Sequence, residues 1–374
     1  MTVEEDVETD LFLYEYFRLN VVNVSGRQLA LHAHGRVLWN RLATDRWDGR
    51  FYQGYLDWKP TKLINFRAGR QFLPNDVGFW QMDGVRINLN LLKWLSPSIY
   101  GGVTEPPWSL ARDRGGVLGV DVERRILTAF QTKVSFLTLF DEEAIDRAIL
   151  GFRLDAPSTS IFDLHRDARK RFHLAARGSV DLLTQEVISG NVSIALRPLA
   201  TTQISMGYRH ETPLFPAESI FSVFDIEPIK ELTIGLDTNL ISWVGVHGRY
   251  AHQFFDLAEV DRYISGFSIR NQRETLLRFH VEHLNDGARK YWRTYASLNK
   301  LVTPRWQIGL VNYYNNYRFS AVTQSETAYS FQFNTDYRFH NNIRLLVRIE
   351  DNVNPDFQYN IRAYSSLRLD LDFR

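Results

Sequence analysis

The chain has 374 residues with 44 Lys+Arg against 43 Asp+Glu, so it lacks the global basic field with which nucleic-acid binding proteins neutralise phosphates. Cysteine is absent, which excludes disulfide scaffolds, thiolate metal sites, cysteine nucleophiles and covalent c-type haem attachment. Aromatic residues make up 14 % of the chain and favour pleated strands, while no run approaches the roughly 18 apolar residues of a membrane-spanning helix.

The opening MTVEEDVETD is acidic where a secretory signal needs a basic and then an apolar segment. It reads as an acidic tail over residues 1–10 of a mature chain, ahead of a single domain over 11–374. Alternation then begins. Leu29, Leu31, Ala33 and Val37 interleave with His32, His34 and Arg36, a period of two that gives a strand one apolar and one polar face. The turn residues Trp58–Lys62 precede NFRAGRQF, which carries Arg67, and Val85, Ile87 and Leu89 then alternate with Arg86 and Asn88.

Further along, Leu232, Ile234 and Leu236 alternate with Glu231 and Asp237, Arg249 sits in the next polar set, and Leu277, Phe279 and Val281 alternate with Arg278, His280 and Glu282. Near the end, Tyr329, Phe331, Phe333, Tyr337 and Phe339 alternate with Ser330, Asn334, Asp336 and Arg338. After Asn341–Asn342 come Ile343, Leu345, Val347 and Ile349, interleaved with Arg344, Arg348 and Glu350. The last strand sets Ile361, Leu367, Leu369, Leu371 and Phe373 against Arg362, Arg368, Asp370 and Asp372.

Short turns at Arg197–Thr202, Leu301–Pro304 and His340–Asn342 alternate with longer connections such as Pro74–Trp80, Glu105–Gly115, Pro213–Ile229 and Phe319–Glu326. This is a meander with two unlike ends. Only Asp155–Arg171 fits no clean strand. The expected fold is therefore all-β: one transmembrane antiparallel barrel of about 20 strands, in the range of roughly 18 to 22, with no plug domain. Counted by parity the number is odd. Single-chain bacterial barrels have even numbers, so an even count is expected.

An open sheet of this size would expose its edges, and in hydrocarbon closure is compulsory because every backbone polar group must be satisfied within the wall. Aromatics near the ends of the apolar stripes, including Trp306, Tyr314, Tyr329, Phe339, Phe357 and Phe373, suit the girdles that mark headgroup levels. The apolar parity, with Phe331, Phe333, Leu345, Val347, Leu367, Leu369, Leu371 and Phe373, is expected to face lipid. The polar parity, with Arg36, Arg67, Arg86, Arg249, Glu282, Asp336, Arg344, Arg348, Glu350, Arg362, Arg368, Asp370 and Asp372, is expected to line a lumen. Both signs occur there, so the lining reads as polar without strong selectivity by net charge. Pro213–Ile229, which mixes apolar and acidic residues, is the connection singled out as able to fold inward, against the plainer reading of an external loop.

Catalytic and metal chemistry find little support. His32 and His34 share a face, as do His280 and Glu282, but spacing supplies no further ligands and polar wall residues are the plainer reading. There is no G-x-S-x-G elbow, P-loop, H-E-x-x-H or dinucleotide fingerprint, and Gly101–Gly102 and Gly115–Gly116 read as strand or loop glycines. No enzymatic activity, metal or cofactor is expected.

The terminal YSSLRLDLDF (364–373), together with NFRAGRQF (65–72) after the turn in YLDWKPTKL (55–63), resembles a Gram-negative outer-membrane β-barrel of the porin type. That resemblance implies an outer-membrane location, contact with membrane lipid and lipopolysaccharide, and a terminal strand read by the barrel-assembly machinery. Arg374, which follows the terminal aromatic, departs from the pattern. Three functions fit such a barrel: a diffusion pore for small hydrophilic solutes, a sleeve around a partner such as a multihaem cytochrome in an electron conduit, and a docking or secretion component.

Overall fold

The structure is a computed structural model. It describes residues 10–372 except 24–27, 41–45, 74–75, 78–79, 93, 105–114, 127–129, 142–143, 158–171, 213–227, 256–257, 272–273, 287–289, 319–325, 341 and 355–356. Among the described residues there is no helix, and all regular structure is strand.

The strands are β1 (Asp10–Val22), β2 (Leu29–Asn40), β3 (Arg46–Trp58), β4 (Ile64–Phe72), β5 (Gln81–Leu89), β6 (Leu95–Thr104), β7 (Gly116–Ile126), β8 (Phe130–Asp141), β9 (Ala144–Pro157), β10 (Phe172–Asp181) and β11 (Glu186–Leu199). They continue as β12 (Thr202–Glu211), β13 (Ile229–Ile241), β14 (Val244–Phe254), β15 (Glu259–Arg270), β16 (Thr275–Asn285), β17 (Lys290–Thr303), β18 (Trp306–Arg318), β19 (Glu326–His340), β20 (Ile343–Asn354) and β21 (Phe357–Asp372). Lengths run from 9 residues in β4 to 16 in β21, enough for tilted strands to cross a hydrocarbon layer, which takes about 9 to 11 residues.

Each strand pairs antiparallel with its sequence neighbour, and β1 also pairs with β21, so the single 21-stranded sheet closes into a barrel. The strand total falls inside the expected range, but the expectation of an even number is overturned. An odd number of alternating strands leaves the first and last pointing the same way, so only a parallel pair can close the wall. The closing register runs parallel from Asp10↔Asn360 to Val22↔Asp372.

Local chemistry explains the hairpins. In the turn between β3 and β4, Thr61 Oγ1 accepts the backbone N–H groups of Leu63 and Ile64, each at 3.2 Å, which covers donors the ladder leaves open. Tight turns at Ala200–Thr201, Ser242–Trp243 and Pro304–Arg305 all lie at one end of the barrel. The connections 105–115, 212–228 and 319–325 belong to the other end, but so do the short connections 142–143 and 355–356, while the long connection 158–171 belongs to the end of the tight turns, so the expected difference between the two ends holds only in part. The difficult stretch resolves into β9 ending at Pro157 and β10 starting at Phe172, with residues 158–171 outside the described set.

The parallel closure places the start of β1 at the long-connection end and the end of β21 at the tight-turn end. Because the chain has no cysteine, single cysteines report the side of each residue cleanly. In proteoliposomes of one orientation, Asp10→Cys and Arg305→Cys should be labelled by membrane-impermeant maleimide from opposite sides. Labelling from the same side would contradict the odd-stranded closure.

Candidate functional site: the polar wall and an in-turned segment

The register sorts the wall into two faces. Phe331 (47 % exposed) and Leu367 (42 %) share one face with Ile99, Leu118, Leu150, Ile234 and Leu236. Leu371 also lies there, exposed, with Phe333, Leu345, Val347 and Leu369 half-buried; Phe373 lies outside the described residues. Large exposed apolar side chains therefore continue across neighbouring strands, far beyond what a water-facing surface sustains. Of the expected girdle residues, Trp306, Tyr314, Tyr329 and Phe339 are exposed on this face, and the side chain of Phe357 lies outside the described set. Arg124 reaches over the Trp94 ring at 5.3 Å, as a long cationic side chain does at an interface. Glu15 breaks the apolar pattern: it opposes Val37 on β2 and Ser365 on β21.

The opposite face carries most of the charged residues and is cross-braced, while Arg70–Asp83 at 2.7 Å and His252–Asp261 at 2.8 Å lie on the apolar parity near strand ends. Arg67 Nη2 meets Asp57 Oδ2 at 2.8 Å. Glu282, nearly buried, accepts from Tyr291 Oη at 2.7 Å and pairs with Arg293 at 3.5 Å. Arg344 grips Asp336, and Arg368 Nε lies 2.7 Å from Asp370 Oδ2. Arg36 pairs with Asp48 at 3.7 Å, Arg348 Nε donates to Asn334, and Arg362 Nε donates to Asn360. Glu350 accepts from Asn352, while Arg249 of β14 opposes Gly235 and Ile264 on the same polar parity. Asp372 ends β21, and its side chain is outside the described set.

His32 and His34 share this face, stacked on Tyr55 and tilted against Tyr52 respectively. Among the described residues no three metal-ligating side chains converge.

The densest network crosses β5 to β9. Asp121 receives Arg86 Nη2 at 2.9 Å and Ser98 Oγ at 3.2 Å, with Lys133 Nζ at 3.7 Å. The same Lys133 Nζ lies 2.8 Å from Asp76 Oδ2, and Arg153 Nη2 lies 2.5 Å from Asp76 Oδ1. Asp76 belongs to no strand. It stands in the connection between β4 and β5, and its side chain is 0 % exposed. Beside it Val77 is also fully buried, Trp80 Nε1 donates to the Val77 carbonyl at 3.2 Å, and Leu73 N–H donates to the Trp80 carbonyl at 2.8 Å.

This connection is thus turned onto the polar face of the wall. Under it lie apolar residues that occupy polar-parity positions: Met82, Tyr100, Val117, Leu137, Leu139 and Ile149, clustered with Leu73 and Val77. At Gly151 of β9 the approach is so close that an added Cβ would overlap the Asp76 carbonyl and come within 2.9 Å of Val77 Cγ1. Only glycine leaves that space.

Sequence patterns point to the wall residues but not to Asp76, Lys133, Asp121 and Arg153, and they single out Pro213–Ile229 as able to fold inward against the plainer reading of an external loop; residues 213–227 lie outside the described set. A signal was present. Val134–Phe140 reads VSFLTLF, apolar on both parities, which marks a strand buried on both faces.

No family model matches the chain, and no curated protein matches it. Among solved structures it is similar to the P pilus usher PapC translocation pore, with TM-score 0.46 and 10 % identity over 89 % of this chain and 90 % of that one. It is also similar to the outer membrane channel DcaP of Acinetobacter baumannii, with TM-score 0.40 and 11 % identity over 66 % and 82 % of the two chains. The anion-selective porin from Comamonas acidovorans gives TM-score 0.36 and 9 % identity over 73 % and 89 %.

Asp76 is fully desolvated, so removing a cation from it leaves an uncompensated buried charge, at a cost of about 3 to 5 kcal/mol. In a Val77→Cys background, reaction with a water-soluble maleimide should be very slow. Adding Lys133→Met should speed it at least tenfold while the heat-modifiable mobility of the folded barrel persists. An unchanged rate would show that the ion network does not hold the segment.

Proposed function

We propose that the chain forms an outer-membrane pore of a Gram-negative bacterium for passive passage of small hydrophilic solutes. In this reading the apolar face meets lipid and lipopolysaccharide, and the polar face lines a water-filled lumen. The observation that carries it is the two-faced closed wall: apolar side chains exposed on one parity, and ion pairs bridging neighbouring strands on the other. A barrel of about 16 to 18 strands already leaves an aqueous channel, so 21 strands give ample width. The segment anchored by Asp76 narrows that width on the side of β5 to β9.

The barrel acts by shape and charge and performs no covalent chemistry. It reaches the membrane through the barrel-assembly machinery, and the acidic residues 1–9 precede a wall that begins at Asp10. The sleeve reading, with a multihaem cytochrome in the lumen, gains nothing from the in-turned segment, because a segment fixed inside removes room for a partner.

Purified protein in planar bilayers should give stable single-channel steps. Gly151→Leu, which denies Asp76 and Val77 their seat, should raise the unit conductance. Absence of steps, with co-purification of a haem-absorbing partner, would favour the sleeve.

A further inference from the structure

The closing seam brings together residues that are far apart in sequence. Arg338 of β19 is directly opposite Arg344 of β20, Arg344 is opposite Arg368 of β21, and Arg368 is opposite Arg18 of β1. Four guanidinium groups thus stand in one row across four neighbouring strands, and His34 of β2 continues it opposite Arg18. All four arginines lie on the polar parity, toward the tight-turn end, and all four are exposed. Directly opposed residues sit only about 4.5 to 5.5 Å apart at Cα, a spacing at which like charges destabilise a sheet.

Carboxylates offset only part of this row. Asp336 takes Arg344, and Asp370 takes Arg368. Arg18 and Arg338 have no ion pair among the described residues, though Arg18 shares the field of Asp370 with Arg368, so among the described side chains the row sets four guanidinium groups against two carboxylates. Elsewhere on the same face the balance is closer, as where Asp76 and Asp121 face Arg86, Lys133 and Arg153. The cationic excess is therefore local, although the whole chain is nearly neutral.

We propose that the Arg338–Arg344–Arg368–Arg18 row is a binding arc for small oxyanions of the phosphate class, which gives the pore a preference for anions. Guanidinium forks match tetrahedral oxyanions by paired N–H donation, and a bound oxyanion relieves the repulsion along the row. The inference rests on the reading of the polar face as a lumen, because that face must admit the ion.

The test uses the full chain with inorganic phosphate as the probe. In bilayers under a potassium chloride gradient, the zero-current potential should show preference for chloride, and millimolar phosphate should reduce chloride current. Arg18→Gln with Arg338→Gln, which leaves both ion pairs intact, should remove at least half of the preference and require at least tenfold more phosphate for the same block. Arg278→Gln, which removes one charge from the polar face of β16, should do neither.

In phosphate-free maltoside micelles, phosphate should raise the unfolding temperature of the unmodified chain above that in sodium chloride of equal ionic strength, and should not do so for the double variant. Cation preference, an equal effect of Arg278→Gln, or equal thermal shifts in both chains would overturn the arc. A chain that opens no channels refutes the pore, while the thermal shift still decides whether the arc binds phosphate.

Discussion

A backbone that crosses hydrocarbon must pair every N–H and C=O within itself, and the rest of this molecule follows from that constraint. A sheet meets it only by closing. On the proposed reading, in which the apolar parity meets lipid, each strand carries two sequences interleaved, one written for an apolar surrounding and one for a polar interior. Where the two faces meet different solvents, a charge beside a leucine costs nothing; both side chains reach the medium that suits them.

The same constraint accounts for the seam. With 21 alternating strands, the first and last run parallel, a pairing slightly less stable per residue than the antiparallel kind. The parallel ladder is nevertheless long, running from Asp10 to Val22 against Asn360 to Asp372. Tyr14 and Tyr364 stack across it at 4.9 Å, and Asn20 Nδ2 donates to Asp370 Oδ1 at 2.7 Å. The interior side chains bind the seam even though its backbone geometry is the weaker one.

The in-turned connection shows how a barrel wall departs from strict alternation when something packs on its polar face. Met82, Leu137 and Ile149 sit where parity calls for polar residues, because they form the bed for Leu73 and Val77. Asp76 is drawn into the same dry layer, where its charge requires the flanking cations of Lys133 and Arg153. Parity arguments read these apolar residues as noise, since they contain no term for a connection that returns to the wall. The run Val134–Phe140 was the legible trace, and it names the strand without naming the segment that covers it.

The sequence by itself determined that the regular structure is strand, that alternation recurs along most of the chain, and which members of each strand share a face. Arg36, Arg344, Arg348, Arg362 and Arg368 were assignable to the polar parity one strand at a time, because side-chain direction follows from a local period of two. Register is not local. Which residue of β21 stands beside which residue of β1 depends on closing a loop of the whole chain, and an odd count agrees with a closed wall only through the parallel pair of β1 and β21. Only the tertiary structure sets Arg18 beside Arg368, some 350 residues away in sequence, and Gly151 beneath Asp76. Those contacts are decided by the circumference of the barrel and the stagger of its strands, quantities that no single segment contains.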